Sequence, residues 1–265
     1  MFNTPFAFMA APAGGGYAYL LDDYPSAGVA YSLRLLRSAY AGNCIEVRRS
    51  SDDATQNIGF INNVLDTASL LTFCGAGNGF VRTWYDQSGN AVNATQTTNG
   101  SQSRIVNAGV IETQNGLPSV RFPGSGFMNF TASISQPDTV FIVGQHDGTS
   151  TEHFFDSTAR QIIGYSPDFL MYAGSSLVTY PTTPLTFQLV SALFDGANSY
   201  FQSNNGTTQT GNPGPAGIGS ALMMRGQGSA SAAVGYISEF IIYPSDQTSN
   251  RTGVKTNINN FYSIY

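Results

Sequence analysis

The chain has 265 residues, of which 42% are hydrophobic and 12% aromatic, enough apolar material for one large core. Its net charge is -5 and only 10% of its residues are charged, so it has no basic stripe to neutralise phosphates, and no nucleic-acid partner is expected. No apolar run approaches the ~20 residues that a membrane-spanning helix needs, so no membrane partner is expected either.

Twenty-nine glycines and 12 prolines imply many turns and favour an all-β fold. The first twenty residues, MFNTPFAFMAAPAGGGYAYL, are apolar and contain a flexible Gly14-Gly15-Gly16 joint. No Lys or Arg precedes the apolar part, which argues against a secretory signal. The segment reads as an N-terminal arm, 1–20, ahead of one domain, 21–265.

From Gly28 to Tyr40, Val29, Leu33, Leu36 and Tyr40 recur at a spacing of three to four, which predicts a short helix ended by Gly42. Ile45 to Arg49 alternates as a half-buried strand does, and Ser50 to Asp53 is a turn. Asp66 is placed to cap a second short helix reaching Phe73. Phe80 to Tyr85 reads as a strand, and Asp86 to Asn90 as a tight turn.

Strand signals then dominate. They cover Ser119–Phe122, Phe127–Phe130, Thr139–Gln145, His153–Asp156, Gln161–Tyr165, Phe169–Ala173, Leu185–Phe194, Ser199–Gln202 and Tyr236–Tyr243. The spacing of the turns between them is that of a sandwich. Ser245 to Tyr262 is predicted helical, with Val254, Ile258 and Phe261 as its apolar stripe.

Cys44 and Cys74 are too few for a disulfide scaffold, and they either pair or stand as two buried thiols. His146 and His153 cannot make a His-rich metal site, and no metal or cofactor is expected. Asp52 and Asp53 read as a solvated turn rather than a calcium loop. Arg48, Arg49 and Arg121 suit salt bridges. His146, Glu152, His153 and Asp156 form one cluster of titratable types, read as an ordinary loop.

Three blocks carry a family resemblance. They are AYSLRLLRSAYAG with VRRSSDDATQNI (Ala30 to Ile58), then Phe73-Cys74 with Tyr85-Asp86-Gln87-Ser88-Gly89, and Gly217-Ile218-Gly219 through Tyr243-Pro244-Ser245-Asp246. The chain resembles the catalytic domain of the α-L-arabinofuranosidase B family. That resemblance implies an all-β, concanavalin A-like or jelly-roll β-sandwich with a few short peripheral helices. The family is a retaining glycosidase, and retention needs two carboxyl groups about 5 to 5.5 Å apart.

The resemblance places the family's acid at Ala221, which has no proton to give, and its nucleophile in the strand Phe169 to Gly174, near Asp168. A cysteine that would partner Cys74 is replaced by Gly79 or Phe80. Domains of this kind with a short arm also resemble phage structural proteins. The expectation is therefore a non-enzymatic virion protein, a capsid decoration or a tail or fibre component. It would be a homo-oligomer held to other virion proteins by its arm, with a lectin-like domain for host-surface glycans. The alternatives are an arabinofuranosidase-type hydrolase and a secreted carbohydrate-binding module. No catalytic residue is expected. Trp84, Tyr85, Asp86, Asp168 and Tyr236 are the candidate sugar contacts, Trp84 and Tyr85 by stacking and Asp86 more as a turn residue than as an acid.

Overall fold

The computed structural model describes residues 18–147, 152–159, 161–165, 168–174, 177–180, 186–228 and 232–265. The arm expected at 1–20 lies outside the described residues except for its last three. The described residues form an antiparallel β-sandwich with three short α-helices, Leu20–Asp23, Thr67–Cys74 and Arg251–Tyr262.

The first layer is centred on the strands Asp138–His146 and Val234–Tyr243, which pair along most of their length. On one side it continues through Gln188–Phe194 and Ser199–Ser203 to Gln209–Gly211. On the other side Val29–Ser32 and Val120–Pro123 share the edge of Val234–Tyr243. The layer then runs through Ser103–Asn107, Gly79–Trp84 and Ile45–Arg49 to Thr55–Ile58. The second layer is Met128–Ile134, Ile218–Met223, Glu152–Ser157, Gln161–Tyr165, Phe169–Ala173 and Leu177–Tyr180, in that order. Ala94–Thr95 pairs with a strand of each layer and joins them.

The core lies between the layers. Tyr31 and Phe240 of the first layer meet Phe130 of the second at ring distances of 5.7 Å each, and Phe155 packs edge-on against Phe240 at 5.7 Å. A second apolar cluster covers the outward face of the first layer. There Phe141, Val143, Leu189, Ile241 and Tyr243 pack against Leu20, Leu21 and the helix residues Val254, Ile258 and Tyr262. The two central strands are thus buried on both faces, which explains their unbroken apolar runs VFIV and FIIY.

Two expectations are corrected. The helix expected at 28–40 is a strand, Val29–Ser32, followed by extended chain. Val29–Ser32 pairs with Glu239–Ile242, while the backbone of Ala30 is engaged on its other side by Asp86 Oδ1 and the Gln87 N–H. Pairing on both sides overrides the local three-to-four spacing. The C-terminal helix begins at Arg251 rather than Ser245, because Asp246 holds a turn through Thr248 N and Oγ1. The helix at Thr67–Cys74 starts as read, with the Asp66 side chain accepting from Ser69 N at 3.0 Å. Cys44 and Cys74 are both free and buried.

Candidate functional site

The block Tyr85-Asp86-Gln87-Ser88-Gly89 is a structural clamp. Asp86 is buried and accepts from Ala30 N at 2.8 Å, Ser88 N at 2.9 Å, Ser88 Oγ at 2.6 Å and Val92 N at 3.1 Å. Gln87 donates to Ser32 O and Arg34 O and accepts from Leu36 N. These contacts occupy both side chains with backbone groups that would otherwise be buried unsatisfied.

The five expected sugar contacts do not gather in one place. Trp84 is fully buried, its ring 6.2 Å from that of Tyr31, so it offers no face to a sugar. Asp86 has no open carboxylate edge. Tyr85 is half-buried and donates to Asn57 Oδ1 at 2.7 Å. Tyr236 lies on the outward face of the first layer, beneath the guanidinium of Arg121 at 4.6 Å, and Arg121 is itself paired with Asp147. Asp168 is half-buried and opens the strand Phe169–Ala173 in the other layer.

Ala221 pairs with Phe130 on one side and Ser157 on the other, and its side chain belongs to the core. Strand alternation sends Ser220 and Leu222 outward and Ala221 inward. A carboxyl group at this position would point between the layers rather than onto the outward face. The inward row continues from Ser157 to Gln161, whose N–H bonds Ser157 Oγ, and from Gln161 to its register partner Ala173.

One carboxyl group reaches this inward row from the first layer. Asp138 is fully buried, and its Oδ2 accepts from Gln161 Nε2 at 2.7 Å. Asp138 Oδ1 and Gln161 Oε1 have no hydrogen-bond partner. Burial pushes the Asp138 carboxyl up to about 8, against the opposing effect of the Gln161 hydrogen bond. The protonated form of this carboxyl is thereby favoured near neutral pH.

The outward face of the second layer carries another carboxyl. The register gives a row Asn129, Leu222, Asp156, Ile162, Tyr172 across five strands. Asp156 is 2% exposed; its Oδ2 accepts from Gln227 N at 2.7 Å, while Oδ1 has no partner. Gln227 also donates from Nε2 to Ser220 O at 3.2 Å, which holds its segment against this face. Tyr172 is half-buried and donates to Gly174 O. A bulge between His153 and Phe155 turns both Phe154 and Phe155 into the core, so His153 and Asp156 share the outward face.

Three other acids are committed elsewhere. Glu239 is fully buried, bidentate to Arg34 at 2.8 and 3.0 Å, and also accepts from Ser32 Oγ at 2.7 Å. Asp52 is paired with Arg49, which holds its carboxyl down at about 2, and Asp53 is paired with Arg48. His146 is buried against Phe154, and burial lowers it to about 4.

Residues 19–117 match the family model described as alpha-L-arabinofuranosidase B, catalytic. An arabinofuranosidase complexed with arabinofuranosyl-alpha-1,2-xylobiose superposes with a TM-score of 0.68 at 18% identity, covering 92% of this chain and 64% of that one. A mutant GH54 α-L-arabinofuranosidase soaked with 4-nitrophenyl α-L-arabinofuranoside gives 0.70, also at 18% identity, covering 92% of this chain and 65% of that one. The fold is the one these arabinofuranosidases have. A GH54 α-L-arabinofuranosidase soaked with a cyclic sulfate inhibitor superposes equally well, at 0.69 and 18% identity over 92% of this chain and 65% of that one. The chain thus spans 64 to 65% of the length of the arabinofuranosidase structures it matches. No curated protein matches it.

These likenesses overturn the expectation of a non-enzymatic virion component. They run to the catalytic part of a glycosidase family and to glycosidase structures. The sequence argument against an enzyme rested on Ala221, whose side chain faces the core, and on Asp168 standing beside rather than at the nucleophile's position. The alternative, an arabinofuranosidase-type hydrolase, fits these findings better.

Proposed function

We propose that this chain is a glycoside hydrolase of the α-L-arabinofuranosidase type, with an arabinofuranosyl glycan as its partner. The observation that carries the reading is the family-model match over residues 19–117, continued by an arabinofuranosidase-like fold over 92% of the chain. Glycosidic cleavage needs one carboxyl group that gives a proton and another that attacks the anomeric centre or activates water. Asp156 is the candidate carboxylate in this reading, although it is only 2% exposed. It lies on the outward face of a layer, one oxygen has no protein partner, and Tyr172 and His153 share its face.

Asp138 points inward from the first layer and does not face Asp156. Asp168 lies four residues from Tyr172, about 13 Å along the strand at about 3.3 Å per residue. It is therefore too distant to form a retaining pair with Asp156, and its place is as a sugar contact at the strand end.

Turnover of 4-nitrophenyl α-L-arabinofuranoside by the whole chain tests the reading. Asp156→Asn is expected to lower kcat by roughly 10²- to 10⁴-fold with an unchanged circular dichroism spectrum. Absence of turnover by the unmodified chain would overturn the hydrolase reading. Turnover that survives Asp156→Asn would overturn only the role given to Asp156.

A further inference from the structure

A polar cavity of ≈ 470 Å³ opens where the C-terminal helix meets the strand Ser199–Ser203, lined among others by Gln202, Asn205, Arg251, Thr252, Lys255 and Tyr265. Its size falls within the ~300–1,000 Å³ range of small-molecule sites. Arg251 and Lys255 are one helical turn apart and face the same way. Six other arginines, Arg34, Arg48, Arg49, Arg82, Arg104 and Arg121, are each paired with a carboxylate. Among the described residues Arg251 and Lys255 form no ion pair.

Their contacts are with neutral groups. Lys255 is 6% exposed, and its Nζ donates to Gln202 Oε1 and Asn204 O at 2.6 Å each, which leaves one of its three N–H donors. Burial, and then the neighbouring charge of Arg251, lower Lys255 to about 8. The guanidinium of Arg251 lies 4.4 Å over the Tyr200 ring. A chain of net charge -5 thus keeps two uncompensated cations together at one cavity. Half-buried charge without a counterion is unfavourable, and an arriving anion relieves it. Tyr265, 41% exposed and with its ring 5.8 Å from Lys255 Nζ, adds an aromatic face beside the charge.

We propose that this cavity binds a carboxylate-bearing sugar, a uronate unit of an acidic polysaccharide. Arg251 and Lys255 take the carboxylate, the amides of Gln202 and Asn205 meet hydroxyl groups, and Tyr265 packs on the C–H face of the ring. The inference is independent of the hydrolase reading, since none of these residues belongs to the Asp156 face.

Titration calorimetry on the whole chain at low salt tests it, with trigalacturonate, a neutral arabinotriose and acetate as probes. Trigalacturonate is expected to bind, and more weakly as salt rises. Arg251→Gln and Lys255→Gln should each weaken it at least tenfold, and Tyr265→Ala should weaken it without changing the response to acetate. Arg251 is less buried than Lys255, so Arg251→Gln carries the test if the lysine variant fails to fold. Four outcomes would each overturn the site: no binding of trigalacturonate, equal binding of the neutral trisaccharide, equal binding of acetate, or binding untouched by Arg251→Gln.

Discussion

Gln161 Nε2 donates to Asp138 Oδ2 at 2.7 Å across the gap between the two layers, and each side chain keeps a second oxygen with no partner. Protonation of Asp138 would turn one of its two oxygens from an acceptor into a donor. Its carboxyl, raised by burial to about 8, keeps in the folded state a proton that an unfolded aspartate loses near pH 4. The folded chain therefore binds more protons across that interval, and stability falls as pH rises from about 4 to about 8, by up to ~1.4 kcal/mol per pH unit. Asp138→Asn, which keeps the shape and adds a permanent donor, should flatten the urea-midpoint profile over this window. A profile as steep as that of the unmodified chain would count against the protonated form.

The Arg34–Glu239 pair is buried on both sides, at 3% and 1% side-chain exposure. Breaking one partner leaves a buried uncompensated charge. Arg34→Met or Glu239→Gln alone should cost ~3–5 kcal/mol in denaturant unfolding, and a double apolar replacement should recover most of that loss. Additive single and double losses would contradict the coupling.

Gln87 satisfies three backbone groups at once. Gln87→Ala should cost roughly 2–4 kcal/mol by leaving them buried without partners. Gln87→Glu should also destabilise, since it keeps the acceptor for Leu36 N but loses both donors. Hydrogen exchange at Leu36 separates the two variants, with faster exchange expected in the alanine form.

Gly79 is one of the two positions, with Phe80, at which the sequence resemblance located a missing cysteine. A Cβ built there would lie 2.6 Å from Cys74 Sγ and 3.2 Å from Val106 Cβ. Gly79→Ala should destabilise, and Cys74→Ala should relieve part of the clash. Gly79→Cys places a second sulfur beside the first. Under oxidising conditions it should form a disulfide with Cys74, read as the loss of both thiols in a labelling assay that counts free cysteines.

Much of the architecture was legible because pattern and packing agree. The strand Asp138–His146 carries the unbroken apolar run Val140 to Val143 because apolar clusters lie on both its faces, and the helix at Thr67–Cys74 is announced by its Asp66 cap. Val29–Ser32 misled because its three-to-four spacing records two separate apolar clusters, one between the layers and one outside, rather than one helix face. Ile218–Met223 carries too few β-branched residues to announce a strand. The candidate site was harder still. Simple alternation from His153 places Asp156 on the opposite face, and only the bulge at Phe154 brings the two together. Trp84 and Asp86 drew attention by residue type, yet one fills the core and the other holds a turn.

The opening strand Val29–Ser32 finds its partner at Glu239–Ile242, near the other end of the chain. A ribosome-bound intermediate lacking those last residues would hold this strand without its partner and Arg34 without its counterion. A fragment limited to residues 19–117 inherits the same defect. Such a fragment is expected to aggregate when expressed alone, and adding back the C-terminal portion in trans should restore a soluble complex.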